Sequence, residues 1–452
     1  MTQSPSRTDT YLPDFHALQR YSESDGQGWV QEIRENAWSS FSHLGFPTAR
    51  RGNEKWKYTN VRPIAYADFE HPLDLDPDTG MGAADLKRLA PWNDEWMNLV
   101  FIDGRFSTSL SSAINASNGA RVASLADVIH SDGEMVKQHL ARYASVEEDG
   151  FMALNTAFLE DGAFIYVPEG QTPSSVVNLI FVTTGRAQPR VSYPRTLVVA
   201  ERNARATVLE SYIGLGQEAY FTDAVTEIVC QEGARVEHYR LLLERAQAFH
   251  VGNCRVYQSQ DSEYESASFS MGAAVGRNEI QVLLDAPGAS CSLNGLYFTT
   301  GSQHLDNMIS IDHAKPRTKS RLFYKGILDG ASKAVFGGTV LVQKDAQKAD
   351  ARQTDKNLLL SDDAEVDSKP SLFIYADDVQ CSHGATAGHM DENTLFYMRS
   401  RGLDLETASR MLVQAFAREV IDTVRLEPLR DHLDSIFLEA LPNAAIRLGS
   451  GS

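Results

Sequence analysis

The 452-residue sequence has few cysteines. It contains four, none of them in a C-x-x-C pair: Cys230, Cys254, Cys291 and Cys381. This excludes a disulfide framework and a zinc ribbon, and so few cysteines are typical of a reducing compartment. Three of them, Cys230, Cys254 and Cys291, lie inside apolar runs and are predicted to be core residues. Any thiol chemistry must therefore rest on single residues.

Basic charge and long apolar runs are also scarce. Lysine and arginine total 42 against 60 acidic residues, a net charge of -18, so the chain would repel the phosphate backbone of a nucleic acid. The sequence has no run of about 18 apolar residues that could span a bilayer. The first residues, MTQSPSRTDTYLPDFHALQR, lack the basic start and apolar stretch of a secretory signal, which predicts a cytoplasmic protein.

The familiar catalytic motifs are missing as well. No G-x-x-x-x-G-K-[ST] loop occurs, so the chain is not predicted to be a P-loop ATPase. There is no G-x-S-x-G elbow and no H-E-x-x-H helix, which leaves serine-hydrolase and zinc-hydrolase mechanisms without local support. These absences do not exclude an enzyme that uses other residues.

Hydrophobic periodicity predicts a mainly β chain with helical ends. Apolar residues recur at helical spacing near the start, for example Ile33, Ala37 and Phe41, and predict an N-terminal helical region over 1–95. The run LVFIDGRF indicates a hairpin at the start of a β core over 96–388. A helical interval near 135–158 is predicted to interrupt this core.

Within the β core, a strand, a tight turn and a second strand recur. Examples are LVVAERNARATV, EIVCQEGARVEHY, VLLDAPGASCSLNG, GILDGASKAVFGG and LFIYADDVQCSHGA. Coils stacked about one axis would place small or β-branched residues inside and turn residues at the corners. The pattern predicts a right-handed parallel β-helix, while an antiparallel sandwich or barrel would use the same short strands and stays open.

Helical spacing returns after the β core. It predicts a C-terminal helical module over 389–446, followed by a flexible tail over 447–452. Asp404 is a plausible N-cap for the second helix, and Pro428 is predicted to stop it. The module is a candidate docking surface, and its three predicted helices span about 392–402, 405–426 and 433–441.

The segment ADDVQCSHGATAGHMDE contains the most interesting candidate site. Cys381 and His383 are two residues apart, so both side chains would project from the same face of an extended strand. Thiolate and imidazole suit transient iron or iron-sulfur cluster binding, with His389 or Glu392 as candidate helpers. Two residues cannot hold a cluster alone, which predicts ligands from elsewhere or from a partner chain. The alternative is a buried core cysteine and a histidine hydrogen-bonded at a turn.

A second, weaker candidate set consists of His304, Asp306, Asp312 and His313. These residues would bind a metal if stacked coils brought them together, although loop solvation explains them equally well.

Two acidic pairs, Asp362 with Asp363 and Asp377 with Asp378, would suit a carbohydrate-active parallel β-helix enzyme. Neighbours on a strand point to opposite faces, which favours solvated turns for these pairs.

Three segments resemble the SufD family of iron-sulfur cluster assembly proteins. They are NEKWKYTNV from Asn53, SKPSLFIYADDVQCSHGATAG from Ser368 and LFYMRSRGL from Leu395, in the family's order. The WKYT segment favours this family over its paralogue SufB. The resemblance implies a β-helical, non-catalytic scaffold in a complex with SufB and SufC. In that complex SufB pairs through the β-helix, and the ATPase SufC docks on the C-terminal helices and hydrolyses ATP.

The resemblance also implies where a cluster would be assembled. The family places assembly at the interface with SufB, with a contribution from a histidine of the C-S-H-G-A-T motif, which is His383 here. Cys381 carries over as its neighbour. The isolated chain would then hold no stable cofactor, and a homodimer could form when SufB is absent. Reduced flavin is associated with such complexes, but the sequence contains no dinucleotide fingerprint.

Two other functions stay open on the residues alone. A carbohydrate-active parallel β-helix enzyme would act without partners on polysaccharide. A self-sufficient metal or iron-storage protein would retain iron when purified by itself. A scaffold, by contrast, would be inert alone and would bind an ATPase tightly.

Overall fold

The structure is a computed structural model that describes residues 7–22, 28–49, 53–73, 81–114, 116–185 and 188–440. Its centre is a stack of β-coils, with helices at both ends of the chain. Within these ranges, no helix has the length and apolar character needed to cross a membrane. The predicted tail over 447–452 lies outside the described residues.

The N-terminal part of the chain is helical, as its spacing predicts. Helix α2 buries one apolar stripe, in which Ala37 and Phe41 are fully covered. The residues from 53 to 60 form turns and irregular backbone, also as predicted. The helical elements here are a 3-10 helix Arg7–Tyr11, α1 Leu12–Ser22, α2 Gly28–Leu44, α3 Arg62–Ala65 and α4 Ala83–Leu89.

Twenty strands lie within the described residues. The hairpin predicted at LVFIDGRF is confirmed, because the strands Met97–Ile102 and Arg105–Phe106 pair antiparallel around Asp103 and Gly104. In chain order the strands are β1 Met97–Ile102, β2 Arg105–Phe106, β3 Arg121–Ser124, β4 Gly162–Val167, β5 Val177–Thr183, β6 Arg190–Ser192, β7 Arg195–Ala200, β8 Arg205–Gly214, β9 Tyr220–Cys230, β10 Arg235–Leu243, β11 Phe249–Gln258, β12 Glu263–Met271, β13 Val275–Leu284, β14 Ser290–Thr299, β15 His304–His313, β16 Lys319–Leu328, β17 Lys333–Val342, β18 Asp350–Leu359, β19 Glu365–Ile374 and β20 Gln380–Gly388.

From β7 onward the chain alternates between two sheets, with one strand in each sheet per coil. We call them the even sheet, which contains β8 to β20 in steps of two, and the odd sheet, which contains β7 to β19. Successive strands in each sheet pair in parallel. The parallel β-helix is thereby confirmed, and the antiparallel sandwich or barrel is wrong, because each turn leads into the next coil instead of folding back beside the same strand.

The turns at one corner of the solenoid stack on one another. Gly233, with φ of 66°, donates its backbone N–H to the carbonyl oxygen of Gln260 in the next coil at 2.8 Å. A Cβ at Gly233 would lie 2.3 Å from Oδ1 of Asn203, so this position requires glycine. A residue with positive φ recurs at this corner in each coil: Asn203, Gly233, Asp261, Gly288, Arg317 and Lys348.

The inner faces of the two sheets enclose a lumen filled mostly by apolar side chains, among them Ile280 and Leu322. Cys230, Cys254 and Cys291 are free thiols buried on these faces, so the prediction that they are core residues is confirmed. Burial raises the pKa of Cys291 to about 12. Buried thiols of this kind are chemically inert.

The predicted helical interval near 135–158 is two separate helices, α5 Leu125–Lys137 and α6 Gly150–Ala157. Helix α5 begins earlier than predicted because Ser124 caps it, with Oγ accepting a hydrogen bond from the backbone N–H of Asp127 at 3.2 Å. Between the helices, Ala141 has a φ of 58°, which is incompatible with a continuous helix.

The C-terminal module contains α7 Glu392–Ser400, α8 Leu405–Ile421 and α9 Glu427–Ala440. Asp404 caps α8 as predicted, with Oδ1 accepting from the backbone N–H of Thr407 at 2.8 Å. Helix α8 ends earlier than predicted, and Pro428 belongs to the first turn of α9, where a missing N–H costs nothing. Helices α8 and α9 pack on the outer face of the even sheet.

Candidate functional site

The solenoid ends in two strands that are paired on one side only. β19 pairs with β17 and β20 with β18, and no described strand pairs with their outer edges. Every residue of both strands is exposed or half-buried, whereas most residues of β17 are buried. We call Glu365–Ile374 and Gln380–Gly388 together the open coil. Its unpaired backbone groups are a template for strand addition by another chain.

Cys381 and His383 lie on the inward face of the open coil. Cys381 is in register with Ala351 and His383 with Gln353, and both of these residues are buried inside the preceding coil. The two side chains therefore share a face, as the spacing predicts. Cys381 is half-buried, which raises the pKa of its thiol, and His383 is exposed. Both face the space that a further coil would cover.

A buried carboxyl group lies one coil below this pair. Asp355 is in register with Ala385 of β20, and its Oδ2 accepts hydrogen bonds from Nδ2 of Asn357 at 2.7 Å and from Oγ of Ser368 at 2.6 Å. Its removal from water raises its pKa to about 6. Sequence reasoning missed Asp355, because only the strand register shows that it points inward.

The two candidate helpers lie just beyond the open coil. His389 is exposed, and its Nδ1 is 3.1 Å from the carbonyl oxygen of Leu359. Glu392 is exposed in the first turn of α7. Across the described ranges, no three His, Cys, Asp or Glu side chains are grouped so that they could hold a metal ion. Within those ranges, Cys381 and His383 therefore do not form a complete metal site with other side chains of this chain.

The set that contains His304, Asp306, Asp312 and His313 does not form a site. All four residues lie on β15, where His313 faces the lumen and the other three face outward. Oγ1 of Thr59 donates to Asp306 at 2.5 Å and lies 3.0 Å from Nε2 of His304, so these two residues hold the N-terminal segment. The alternative in which stacked coils unite the set as a metal site is wrong, because a single strand carries all four residues and spreads them over two faces.

The acidic pairs lie in exposed turns, which confirms their interpretation as solvated residues. Asp362 and Asp363 lie between β18 and β19, and Asp377 and Asp378 lie between β19 and β20. Asp378 forms an ion pair with Lys348 at the stacked corner. These pairs provide no common face of carboxylates for carbohydrate hydrolysis.

The segment NEKWKYTN attaches the N-terminal region to the solenoid. The buried Trp56 ring lies 3.9 Å from the guanidinium carbon of Arg277, a close cation–π contact. Glu54 pairs with Lys369 of the open coil at 2.9 Å. The aromatic residues of the segment therefore divide, since Trp56 is core and Tyr58 is exposed.

Fold and site together define a class, a parallel β-solenoid whose last coil is open and carries a thiol and an imidazole on its inward face. The family model for the SufBD core domain of the SUF system for FeS cluster assembly matches residues 181–416, and the model for the SufBD protein N-terminal region matches residues 5–179. The chain belongs to the SufBD family of iron-sulfur cluster assembly proteins. The family resemblance predicted from the three segments is confirmed.

Individual relatives match along most of their length. The iron-sulfur cluster assembly protein SufD of Escherichia coli is 31% identical over 404 residues, which cover 89% of this chain and 90% of that protein. An iron-sulfur cluster assembly SufBD family protein of Synechocystis is 31% identical over 411 residues, or 88% of each chain. The chloroplastic protein ABCI7 of Arabidopsis thaliana is 31% identical over 411 residues, 89% of this chain and 84% of that one.

Proposed function

We propose that this chain is a SufD-type, non-catalytic scaffold subunit of a cytoplasmic complex that assembles iron-sulfur clusters. The observation that carries the proposal is the open coil. The outer edges of the ten-residue β19 and the nine-residue β20 pair with no described strand, and Cys381 and His383 lie together on the inward face of β20. Membership of the SufBD family and the name of the Escherichia coli relative support this role.

The open coil is suited to pair with SufB. A partner with the same fold could extend both sheets through backbone hydrogen bonds and cover the half-buried inward residues Val366 and Leu372. Phe373, Ile374 and Tyr375 are large exposed apolar residues at the end of β19 and would widen the contact. In the absence of SufB, a second copy of this chain could use the same edges to form a homodimer.

The nascent cluster is cargo of the complex in this proposal. Cys381 would bind iron through its thiolate and His383 through a neutral ring nitrogen, and SufB would supply the remaining ligands. The isolated chain would then keep no cluster, in contrast to an iron-storage protein. The sequence contains no dinucleotide fingerprint, so we assign no residue to reduced flavin.

The C-terminal helices are suited to receive SufC. Phe396, Tyr397 and Met411 are large apolar residues exposed on α7 and α8. Only three residues separate β20, which carries His383, from α7. ATP-driven movement of SufC subunits bound to these helices would therefore pull directly on the open coil and admit iron and sulfur.

The proposal can be tested with the whole complex. We expect His383→Ala to copurify with SufB and SufC as the wild type does, but to lose most of the cluster absorption after anaerobic reconstitution. His43→Ala is the matched control, because His43 is also exposed but lies on α2. An unchanged cluster signal in the His383→Ala complex would reject a ligand role, and failure of the wild-type chain to bind SufB or SufC would reject the scaffold role.

A further inference from the structure

Polar side chains recur along the lumen, although most of its lining is apolar and Leu293, Leu322 and Gly295 interrupt their columns. They lie in two neighbouring columns on the inward face of the even sheet, where a column is a set of residues in register on successive strands. The first column reads His238, Ser266, Leu293, Leu322, Gln353 and His383, and the second reads Glu210, Arg240, Ser268, Gly295, Tyr324 and Asp355. On the odd sheet Asn278 and Asn307 are in register, and Oδ1 of Asn278 accepts from Nη1 of Arg240 across the lumen.

Several buried atoms of this tract have no hydrogen-bond partner within the part of the chain that the structure describes. Leaving a buried polar group unsatisfied is costly, because the group loses its hydrogen bonds to water and gains none in return. Five dry groups would together cost as much as the whole stability of a typical domain. Bound water is the usual remaining partner for such groups. The atoms are Nε2 of His250, Nδ2 of Asn278 and Asn307, Oε1 of Gln353 and Oδ1 of Asp355.

The two ends of the tract carry groups that can hold a proton. At the inner end, Oε2 of Glu210 lies 3.4 Å from Nε2 of His238. Burial lowers the pKa of His238, but the Glu210 carboxylate outweighs it and raises this pKa to about 9. At the outer end, Asp355 bonds to Ser368 of the open coil through Oδ2 and leaves Oδ1 without a partner among the described residues.

We propose that a file of bound water molecules occupies the lumen between Glu210 and Asp355 and carries protons between the buried Glu210–His238 pair and the open coil. Each water accepts one proton and passes one on, so the file needs no co-reactant and its composition does not change. The proposal goes beyond the scaffold role and does not depend on it, because a dry lumen would leave the open coil and its ligands intact.

Two buried histidines provide an internal comparison. His238 borders the tract, with Tyr264 at Nδ1 and Glu210 at Nε2. The equally buried His313 lies at the end of β15, with Thr318 and Ser320 at its ring nitrogens at 2.8 and 2.9 Å. In the full chain labelled with ¹⁵N-histidine, we expect the ring N–H protons of His238 to exchange with solvent at least about tenfold faster than those of His313. Exchange of His238 that is as slow as that of His313 would overturn the proton path. Signals are assigned from His238→Gln and His313→Gln.

Hydration is tested directly by a crystal structure of the wild-type chain, with and without xenon. We expect ordered waters within hydrogen-bond distance of Asn278, Asn307 and Asp355, and no xenon among them, because xenon enters dry apolar cavities. Xenon or empty space at these atoms would overturn the proposal. Asn307→Leu should displace these waters and slow the exchange of His238, whereas Asn294→Leu on the outward face of β14 should not. If Asn307→Leu does not fold, the exchange rates of the two histidines and the crystal structures of the wild-type chain still test the proposal.

Discussion

The middle of the solenoid and its open coil use the same strand repeat but differ in how they are covered. In the middle, Leu322 of β16 has a coil on each side and is fully buried. In the open coil, Leu372 of β19 also faces inward but has a coil on one side only and is half-buried. The repeat therefore builds a core where a neighbouring coil follows, and it leaves a half-buried surface where no described coil follows. The middle should be stabilised by its own chain, and the open coil by a partner.

The largest loss of stability should come from removing a buried carboxylate in the middle of the solenoid. Oε1 of Glu279 lies 2.8 Å from both Lys55 and Arg255, and Oε2 lies 3.1 Å from Arg277. Glu279→Ala would leave these cations without their shared carboxylate, which should lower the free energy of unfolding by about 3–5 kcal/mol. Urea unfolding measures the loss. The matched change in the open coil, Glu365→Ala, removes an exposed ion pair with Lys333 and should leave the unfolding midpoint unchanged. Equal losses in the two variants would contradict the comparison.

The two leucines sharpen the same comparison. Leu322→Ala should lower the free energy of unfolding of the isolated chain by about 2–5 kcal/mol, because it opens a cavity that the neighbouring coils cannot fill. Leu372→Ala should cost the isolated chain clearly less, but should weaken copurification with SufB. A Leu372→Ala variant that is as unstable as Leu322→Ala, yet binds SufB normally, would contradict the comparison. It would show that Leu372 is packed in the core of the isolated chain and not against SufB.

Asp355, at the boundary between the two regions, should give a pH-dependent effect. Its pKa in the folded chain is raised by desolvation from 3.8 to about 6, so its contribution to stability is fully present below 3.8 and is lost as pH rises through about 6. Asp355→Asn should therefore gain stability relative to the wild type between about pH 4.5 and 7.5, by up to about 3 kcal/mol. Denaturant unfolding at the two pH values measures the gain.

Asp350 is a control of opposite sign for this experiment. A hydrogen bond from Arg321 lowers the pKa of Asp350, so its carboxylate stabilises the fold above 3.8 and that contribution is lost as pH falls below it. Asp350→Asn should consequently be less stable than the wild type at neutral pH. A gain of stability by both variants over the same pH interval would show that burial of Asp355 is not the cause.

The smallest effect on stability should belong to His383. Its side chain is exposed in the open coil, so His383→Ala should change the free energy of unfolding of the isolated chain by less than about 0.5 kcal/mol. Thermal unfolding without partners measures this, and the cluster assay with partners measures its proposed role. A strongly destabilised His383→Ala chain would mean that the histidine stabilises the solenoid instead of serving as an exposed ligand.

Much of the local structure was predictable from the sequence because it depends on neighbours along the chain. Asp404 caps its helix and the LVFIDGRF hairpin forms, since capping and tight turns need only a few adjacent residues. Boundaries that depend on distant contacts were less predictable. Helix α5 begins early at Ser124, whose Oγ also donates to Oδ1 of the distant Asp161 at 2.8 Å. Helix α8 ends at Ile421, and Pro428 belongs to the first turn of α9.

The candidate site was predictable in part for the same reason. Strand alternation places Cys381 and His383 on one face whatever the fold around them, because residues two apart on a strand always share a face. The set on β15 was misjudged, since the same alternation sends His313 into the lumen and Asp312 to the outside. Asp355 was missed because its burial depends on the strand register, and its contact with Ser368 of β19 depends on how two successive strands face each other across the lumen.

By itself, the sequence determined the strand and turn repeat, the helical ends, the shared face of Cys381 and His383, and the family resemblance of three segments. These properties depend on residue type and on spacing along the chain. Only the tertiary structure decided that the coils run parallel, that a polar tract follows the lumen and that the last coil is left open. Those properties depend on the register between strands and on what covers each coil, and the register is set by contacts between residues 26 to 32 positions apart in neighbouring coils.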